Sequence, residues 1–387
     1  MFCESYLQTM IDGAESVRLL LPEISQAAES AASRLIGGGD LYIASSRPDF
    51  MSEGYVRSGG MMMMQECTSS TPKQGDVVIA GWSDTESDAD RRLISRLVET
   101  GAFVIGIGPE AKQFSRNLDV FLHSDPPCPE IVLGHLNNES YPLISLQNLI
   151  LLWTFTAELV AAMTREGQMP VMYQSVLTEG ARERNTSFGS HRFHATHDVP
   201  SISPGRLGGA YLDRISTCLT SLHHEAPAVA RAAAAAVEVL KNDRHIHAFL
   251  IAHFPVHQAG APGDPGYMTT LDTFTGETPD VAELERKLGP GDLFFFLGYY
   301  RRPNAAYEVA RRRQCTIVEI IAGAREPASV GHEPDYKIDP GWEYTDSLVD
   351  VPGYDVRILP ASGILQAAVY WSVIGQITER LGASETN

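Results

Sequence analysis

Hydroxyl and guanidinium side chains directly follow two short apolar runs in the sequence. They are Ser45, Ser46 and Arg47 after residues 41–44, and Ser83, Thr85 and Ser87 after residues 77–80. Hydroxyls donate hydrogen bonds, and an arginine can hold an anion with two parallel ones. The second group also contains Asp84, Glu86 and Asp88, each of which disfavours a phosphate a few ångströms away. Both groups are predicted to bind a ligand, and the first suits an anion better.

Other side chains could move protons or hold a sugar. Glu53 lies on a short predicted helix and could be the base of an enolisation, which needs a carboxylate near the substrate; the alternative is a solvated helix residue. His253 and His257 follow a later apolar run and could shuttle protons, or could be structural loop histidines. Tyr299 and Arg301 follow another such run, where they could contact a sugar and an anion.

The elements that must position the second loop lie in residues 75–108. The sequence GDVVIAGWSDTESDADRRLISRLVETGAFVIGIG predicts a strand, a polar loop, an amphipathic helix and a second strand. Both strands are continuous apolar runs, which indicates a parallel sheet covered by helices on both faces. Ligands of such sheets bind beyond the carboxyl ends of the strands, so the loop at 82–88 is predicted to belong to the site.

Further helices and strands are predicted on both sides of this unit. They are a helix over 14–36 that ends at three glycines, a strand over 41–44, a helix over 50–58, a strand after the methionines at 61–64, and a strand over 131–133. Residues 143–163 are apolar and nearly long enough to span a membrane. Because they include Gln147, Asn148 and Glu158, we expect a buried core helix instead.

The second half of the chain repeats the order of elements in the first half. An alanine-rich helix is followed by a strand over 248–252, by a segment beginning GDLFFFLGYY and by a final apolar helix. Gly291 lies 216 positions after Gly75, and Trp371 lies 218 positions after Trp153. This nearly constant spacing predicts a duplicated α/β domain, each copy being a doubly wound parallel sheet flanked by helices.

A polar segment rich in serine, proline, glycine and histidine joins the two copies. It covers residues 180–208, lacks periodicity, and predicts domains at 1–179 and 209–387. Three of its histidines have metal-binding side chains: His191, His194 and His197. Their spacing fits neither a zinc knuckle nor a ligand pair on one helix face. A polar connection is therefore predicted rather than a metal site, and no cofactor is expected.

Composition restricts the partners and the compartment. The formal net charge of −18 argues against nucleic acid and anionic membranes, because both require a basic surface. Five cysteines lie far apart without a C-x-x-C pair and are predicted to be free thiols in a reducing compartment. The amino terminus shows no basic start followed by an apolar run, so a signal peptide is not predicted. A cytoplasmic location is expected.

Together these elements resemble the sugar isomerase (SIS) domain, and the whole chain is similar to tandem SIS proteins. The resemblance rests on residues 75–108, on EGYVRSGG at 53–60, and on the closing apolar helix with a tryptophan and an acid. It implies flavodoxin-like sheets and two loops rich in serine, threonine and glycine that hold a phosphosugar. Here the loop at 82–88 lacks glycine and has gained acids, and the corresponding second-half loops at 253–257 and 298–302 are not of that type.

The resemblance implies a phosphosugar-binding protein, as an aldose–ketose isomerase or an amino-sugar deglycase. Glu53 would transfer the proton, His257 would assist ring opening, and Arg47 or Arg301 would hold the anionic end. One alternative is a SIS-like binding or scaffold protein without catalysis, and another is an enzyme for an unphosphorylated sugar. The expected partner is a small sugar or sugar phosphate, bound by a monomer with an internal pseudo-dimer or by a homodimer.

Overall fold

Two five-stranded parallel sheets form the framework of the computed structural model. It describes residues 1–68, 71–113, 115–124, 141–196, 198–251, 253–271, 279–323, 327–343 and 345–385. The elements before the connecting segment are α1 (Phe2–Leu19), α2 (Leu21–Ile36), β1 (Leu41–Ser45), α3 (Pro48–Gly54), β2 (Met64–Glu66), β3 (Val77–Gly81), α4 (Asp88–Glu99), β4 (Phe103–Gly108), β5 (Val120–His123) and α5 (Tyr141–Arg165).

The remaining elements repeat this order after one short helix. They are α6 (Ala181–Phe188), α7 (Arg206–His224), α8 (Ala226–Lys241), β6 (Ile246–Leu250), β7 (Met268–Thr270), α9 (Val281–Lys287), β8 (Leu293–Tyr299), α10 (Asn304–Arg312), β9 (Thr316–Ala322), β10 (Tyr336–Ile338), β11 (Ser347–Val349), β12 (Ile358–Pro360) and α11 (Ser362–Glu385). The strand orders are β2-β1-β3-β4-β5 and β7-β6-β8-β9-β10, so the predicted duplicated α/β architecture is confirmed.

The central unit has the predicted strand, helix and strand. Residues of β3 alternate between two cores: Val77 and Ile79 face the large core shared by both halves, while Val78 and Ala80 face the core under α4. This burial on both faces explains the continuous apolar run. Ser87 is the N-cap residue of helix α4, and its hydroxyl accepts a hydrogen bond from the backbone N–H of Asp90 at 3.1 Å.

Three details differ from the sequence predictions. The helix predicted over 14–36 is two helices, because the chain turns at Leu20 and Pro22 occupies the first turn of α2, where a missing N–H costs no hydrogen bond. The edge strand β5 lies at Val120–His123, whereas the strand predicted over 131–133 falls outside the described residues. The connecting segment contains helix α6, although its sequence lacks periodicity.

Helix α5 is the predicted core helix. It is the one described helix that is long and apolar enough to cross a membrane, and its most apolar window is entirely buried inside the protein. Its polar residues have partners there. Asn148 donates to the carbonyl of Trp82 at 2.8 Å, and Glu158 accepts from the backbone N–H groups of Gly205 and Gly208 at 2.7 and 2.8 Å. The acid therefore caps the amino terminus of α7.

The two halves pack against each other through helices. Helix α7, which follows the connecting segment, packs on α1 and α5 of the first half, and α1 also packs on α11. Trp153 and Trp371 are both fully buried in the shared core. Of the five cysteines, Cys3, Cys67, Cys218 and Cys315 are free thiols as predicted, and Cys128 lies outside the described residues.

Candidate functional site

A cavity of about 670 Å³ lies between the two halves. It contains four residues predicted from the second half, His253, His257, Tyr299 and Arg301. Tyr299 is the last residue of β8, and the other three follow the carboxyl ends of β6 and β8, where parallel sheets place their ligand sites. Its first-half wall comes from α3 and the turn after it, from Glu66 of β2 and from residues 175–177. We call this cavity the interdomain pocket.

Ser52 of α3 holds both histidines against the first half. Its hydroxyl donates to the carbonyl of His253 at 3.1 Å, and His253 Nδ1 lies 3.0 Å from the carbonyl of Ser52. The same hydroxyl lies 3.3 Å from His257 Nε2. The two imidazoles are therefore positioned by the half of the chain to which they do not belong.

Both histidines are neutral at neutral pH. Burial, with the nearby positive charge of Arg57, lowers the pKa of His253 to about 4. Burial is also the main cause that lowers the pKa of His257, and Arg47 adds to it while Asp49 opposes it. A neutral imidazole can accept one proton and donate another, which a proton shuttle requires.

Arg57 forms a buried ion network that the sequence analysis did not find. Its Nε lies 3.2 Å from Glu53 Oε1, and its Nη2 lies 2.8 Å from Asp346 Oδ2. The side chains of all three are at most 3% exposed. Arg57 also donates to the hydroxyl of Ser362, which in turn lies 3.0 Å from the hydroxyl of Tyr299. Arg57 and Asp346 line the interdomain pocket, so the network links its two walls.

Glu53 lies behind the wall of this pocket and is not among its lining residues. Burial raises the pKa of its carboxyl, Arg57 lowers it, and Asp346 raises it further, with a raised value as the net result. A Cβ added at Gly363 would be 2.3 Å from Glu53 Oε1, so the carboxylate rests directly on the first turn of α11. The role of Glu53 as a base stays a prediction.

Uncommon backbone conformations gather around the network. Val56, Tyr300, Thr345, Asp346 and Leu359 have φ angles of 48°, 42°, 90°, 61° and 67°. Positive φ is unfavourable for residues other than glycine and persists only where the surrounding structure enforces it. Each of these residues belongs to or adjoins the segments that meet at the ion network. Such clustering is typical of functional sites and indicates that this region is held in one conformation.

The charges on the wall of the interdomain pocket are balanced. Arg57 and Arg301 are cationic, Glu66 and Asp346 are anionic, and the two histidines are neutral. Apolar surface comes from residues such as Val256. The arrangement can therefore accept a polar ligand with a single anionic group more readily than one with several.

The residues predicted in the loop at 82–88 make hydrogen bonds within the first half. Ser83 accepts a hydrogen bond from Asn148 at 3.3 Å, and the carbonyl of Thr85 accepts one from Gln113. Ser87 caps α4. None of the three lines the interdomain pocket. Their predicted ligand contacts stay predictions.

The residues predicted in the first loop, at 45–47, do not share one site. Arg47 pairs with Asp49 at 3.3 Å, and its guanidinium carbon lies 4.9 Å from the ring centre of Tyr141. Ser45 and Ser46 instead line a second cavity of about 990 Å³ between α4 and the ends of β1 and β2. Three α4 arginines line the same cavity: Arg91, Arg92 and Arg96. We call it the arginine groove.

The histidines of the connecting segment have structural contacts. His194 Nε2 lies 3.0 Å from the hydroxyl of Tyr354, and His191 contacts the carbonyl of Phe188. His197 lies outside the described residues. Among the residues that the structure describes, no group of three or more histidines, cysteines or acids is arranged to hold a metal ion.

Comparison with known proteins identifies the fold. The C-terminal domain of glucosamine-fructose-6-phosphate aminotransferase from Francisella tularensis matches with a TM-score of 0.51 and 9% identity, over 97% of this chain and 96% of that one. Tagatose-6-phosphate ketose/aldose isomerase from Escherichia coli matches with a TM-score of 0.48 and 11% identity, over 100% and 94%. No protein-family model and no curated protein matches the sequence.

The chain is thus a two-sheet α/β protein with the fold of that aminotransferase domain along nearly its whole length. The resemblance to tandem SIS proteins is confirmed at the level of the fold. At 9% identity the comparison establishes the fold alone, and the ligand has to be argued from the site.

Proposed function

We propose that this chain binds a small sugar phosphate in the interdomain pocket and acts on it as an aldose–ketose isomerase or an amino-sugar deglycase. The observation that carries the proposal is the convergence of His253, His257, Tyr299 and Arg301 with Arg57 around one cavity of about 670 Å³. This volume is typical of small-molecule sites. A domain named for glucosamine-fructose-6-phosphate shares the fold, which supports the same ligand class.

The roles follow from the chemistry of each group. Arg301 would hold the anionic end, Tyr299 would hydrogen-bond the sugar, and neutral His257 would transfer the proton that opens the ring. A proton would then be removed from the carbon next to the carbonyl and returned to the former carbonyl carbon through an enediol, with Glu53 as the predicted base. A cytoplasmic location belongs to the same proposal.

Solvent exchange tests the reaction. The protein is incubated with hexose and hexosamine phosphates in D2O, and deuterium in the sugar is measured together with the thermal shift. We expect exchange with one of them, and at least a tenfold loss of exchange in His257→Asn. The matched control is His224→Asn, an exposed histidine on α7. A wild-type protein that neither exchanges deuterium nor shifts its Tm with any of them contradicts the proposal.

A second candidate is a binding protein of the same fold without catalysis. The specific observation in its favour is that Glu53 is fully buried, is paired with Arg57 and lies off the wall of the pocket. Binding detected by thermal shift without deuterium exchange would support this candidate. A Glu53→Gln variant that binds normally but loses exchange would instead favour the enzyme.

A further inference from the structure

The arginine groove is separate from the interdomain pocket. All of its described lining residues belong to the first half, whereas both halves form the pocket. Among the described residues, Met51 of α3 alone lines both cavities, because α3 stands between them. The groove is therefore a different cavity from the one proposed to hold the sugar phosphate.

Helix α4 presents the arginines of the groove on its exposed side. Ile94 and Leu97 bury the opposite side of the helix, and Arg92 and Arg96 are exposed one turn apart. Residues four apart on a helix have Cβ atoms about 5–6 Å from each other. Arg91 pairs with Asp88, but Arg92 and Arg96 form no ion pair within the part of the chain that the structure describes. Two neighbouring guanidinium groups thus remain available to a ligand.

The local charge of the groove is opposite to that of the chain. No aspartate or glutamate occurs among its described lining residues, while the whole chain carries a formal charge of −18. Thr68 adds an exposed hydroxyl donor. Long-range repulsion by the chain opposes a polyanionic macromolecule such as nucleic acid, whereas a small anion can be held by the local charges.

One buried acid restricts where an anion would bind in the arginine groove. Asp90 is 3% exposed and lies beside Ser46 and Ser87, and burial raises the pKa of its carboxyl. Its negative charge disfavours a second anion at Ser46. The favourable position is therefore farther out, between Arg92 and Arg96.

We propose that the arginine groove binds the diphosphate group of a small phosphorylated molecule. Two guanidinium groups one turn apart can each pair with one of two adjacent phosphates, and guanidinium geometry matches phosphate oxygens. A cavity of about 990 Å³ leaves room for an organic group attached to the diphosphate. This ligand is distinct from the sugar monophosphate of the interdomain pocket.

Calorimetric titration of the full chain with inorganic pyrophosphate and with orthophosphate, in metal-free buffer, tests the proposal. We expect pyrophosphate to bind at least tenfold more tightly, and an R92Q/R96Q double variant to lose at least tenfold in its affinity. R231Q is the matched control, since Arg231 is an exposed arginine on α8 that lines neither cavity. R301Q, which alters the interdomain pocket, should bind pyrophosphate like the wild type.

Equal affinity for the two anions, or unchanged pyrophosphate binding in R92Q/R96Q, would overturn the proposal. Loss of pyrophosphate binding in R301Q would also overturn it, because the ligand would then occupy the interdomain pocket. Deuterium exchange into sugar phosphates should survive in R92Q/R96Q, so the second site and the proposed reaction can fail independently.

Discussion

Replacement of the buried Arg57 is expected to destabilise the protein strongly. It is 3% exposed and compensates both Glu53 and Asp346. We expect Arg57→Met to lower the free energy of unfolding by about 3–5 kcal/mol, because two buried carboxylates lose their partner. Urea denaturation measures this change.

The matched control for this variant is Arg311→Met. Arg311 pairs with Asp335 at 2.8 Å in an exposed ion pair, for which about 0–1 kcal/mol is expected. Equal effects of the two substitutions would show that the buried network does not stabilise the protein.

The lowered pKa of His253 makes the stability of the protein depend on pH. Its pKa is about 4 in the folded protein against 6.5 for an ordinary histidine. Between these values the unfolded chain binds a proton that the folded protein does not bind. The free energy of unfolding should therefore decrease as the pH falls from about 6.5 to 4, and His253→Asn should make this decrease smaller.

Denaturant unfolding at several pH values from 7 to 4 measures this slope. His224→Asn, which changes an exposed histidine on α7, should leave the slope unchanged. An identical slope in wild type and His253→Asn would show that His253 does not cause this pH dependence.

At the scale of elements, the contact between α5 and α7 depends on one carboxylate. Glu158 is fully buried and accepts hydrogen bonds from Gly205, Gly208 and the hydroxyl of Ser25, the last at 2.6 Å. We expect Glu158→Ala to lower the free energy of unfolding by about 2–4 kcal/mol, because buried donors lose a charged acceptor. Thermal and urea unfolding measure it.

Glu29→Ala is the control for this change. Glu29 pairs with Arg165 at 2.9 Å but is 54% exposed, so a loss below about 1 kcal/mol is expected. A loss of the same small size in Glu158→Ala would mean that the cap contributes little.

The sequence predicted elements where apolar patterning was strong. Strands β1, β3 and β4 follow apolar runs, and the halves share one order because the runs recur. Strand β5 was missed because Val120–His123 is short and only its third residue is buried. Helix α1 was predicted too short, since polar residues interrupt its first turns.

The candidate site was only partly predictable for a different reason. His253, His257, Tyr299 and Arg301 follow strand ends, and parallel topology brings such positions to one edge. The pairing of Arg57 with Asp346 depends on how the two halves pack, which no local pattern records. The spacing of the α4 arginines could have indicated a basic surface, because residues four apart share a helix face.

At the scale of the whole molecule, the halves are expected to depend on each other for folding. Helix α1 packs on α7 and α11 of the second half, and α7 also packs on α5. Residues 1–179 alone would expose these faces to water, so we expect them to lack a cooperative unfolding transition. Circular dichroism of this fragment during heating checks the expectation.

Coexpression with residues 180–387 provides the control. The two fragments should associate and recover a cooperative transition, because every contact between α1 and its partners is restored. Independent cooperative folding of residues 1–179 would contradict the expected dependence.

The close approach of Glu53 to Gly363 also restricts how the sequence can change over evolution. Any side chain at position 363 would place its Cβ 2.3 Å from a carboxylate oxygen that is buried and held by Arg57. Substitution of Gly363 is therefore not tolerated while Glu53 is retained. It becomes possible only when a smaller side chain replaces Glu53. In an alignment of relatives, positions 53 and 363 should covary, with glycine at 363 wherever glutamate stands at 53.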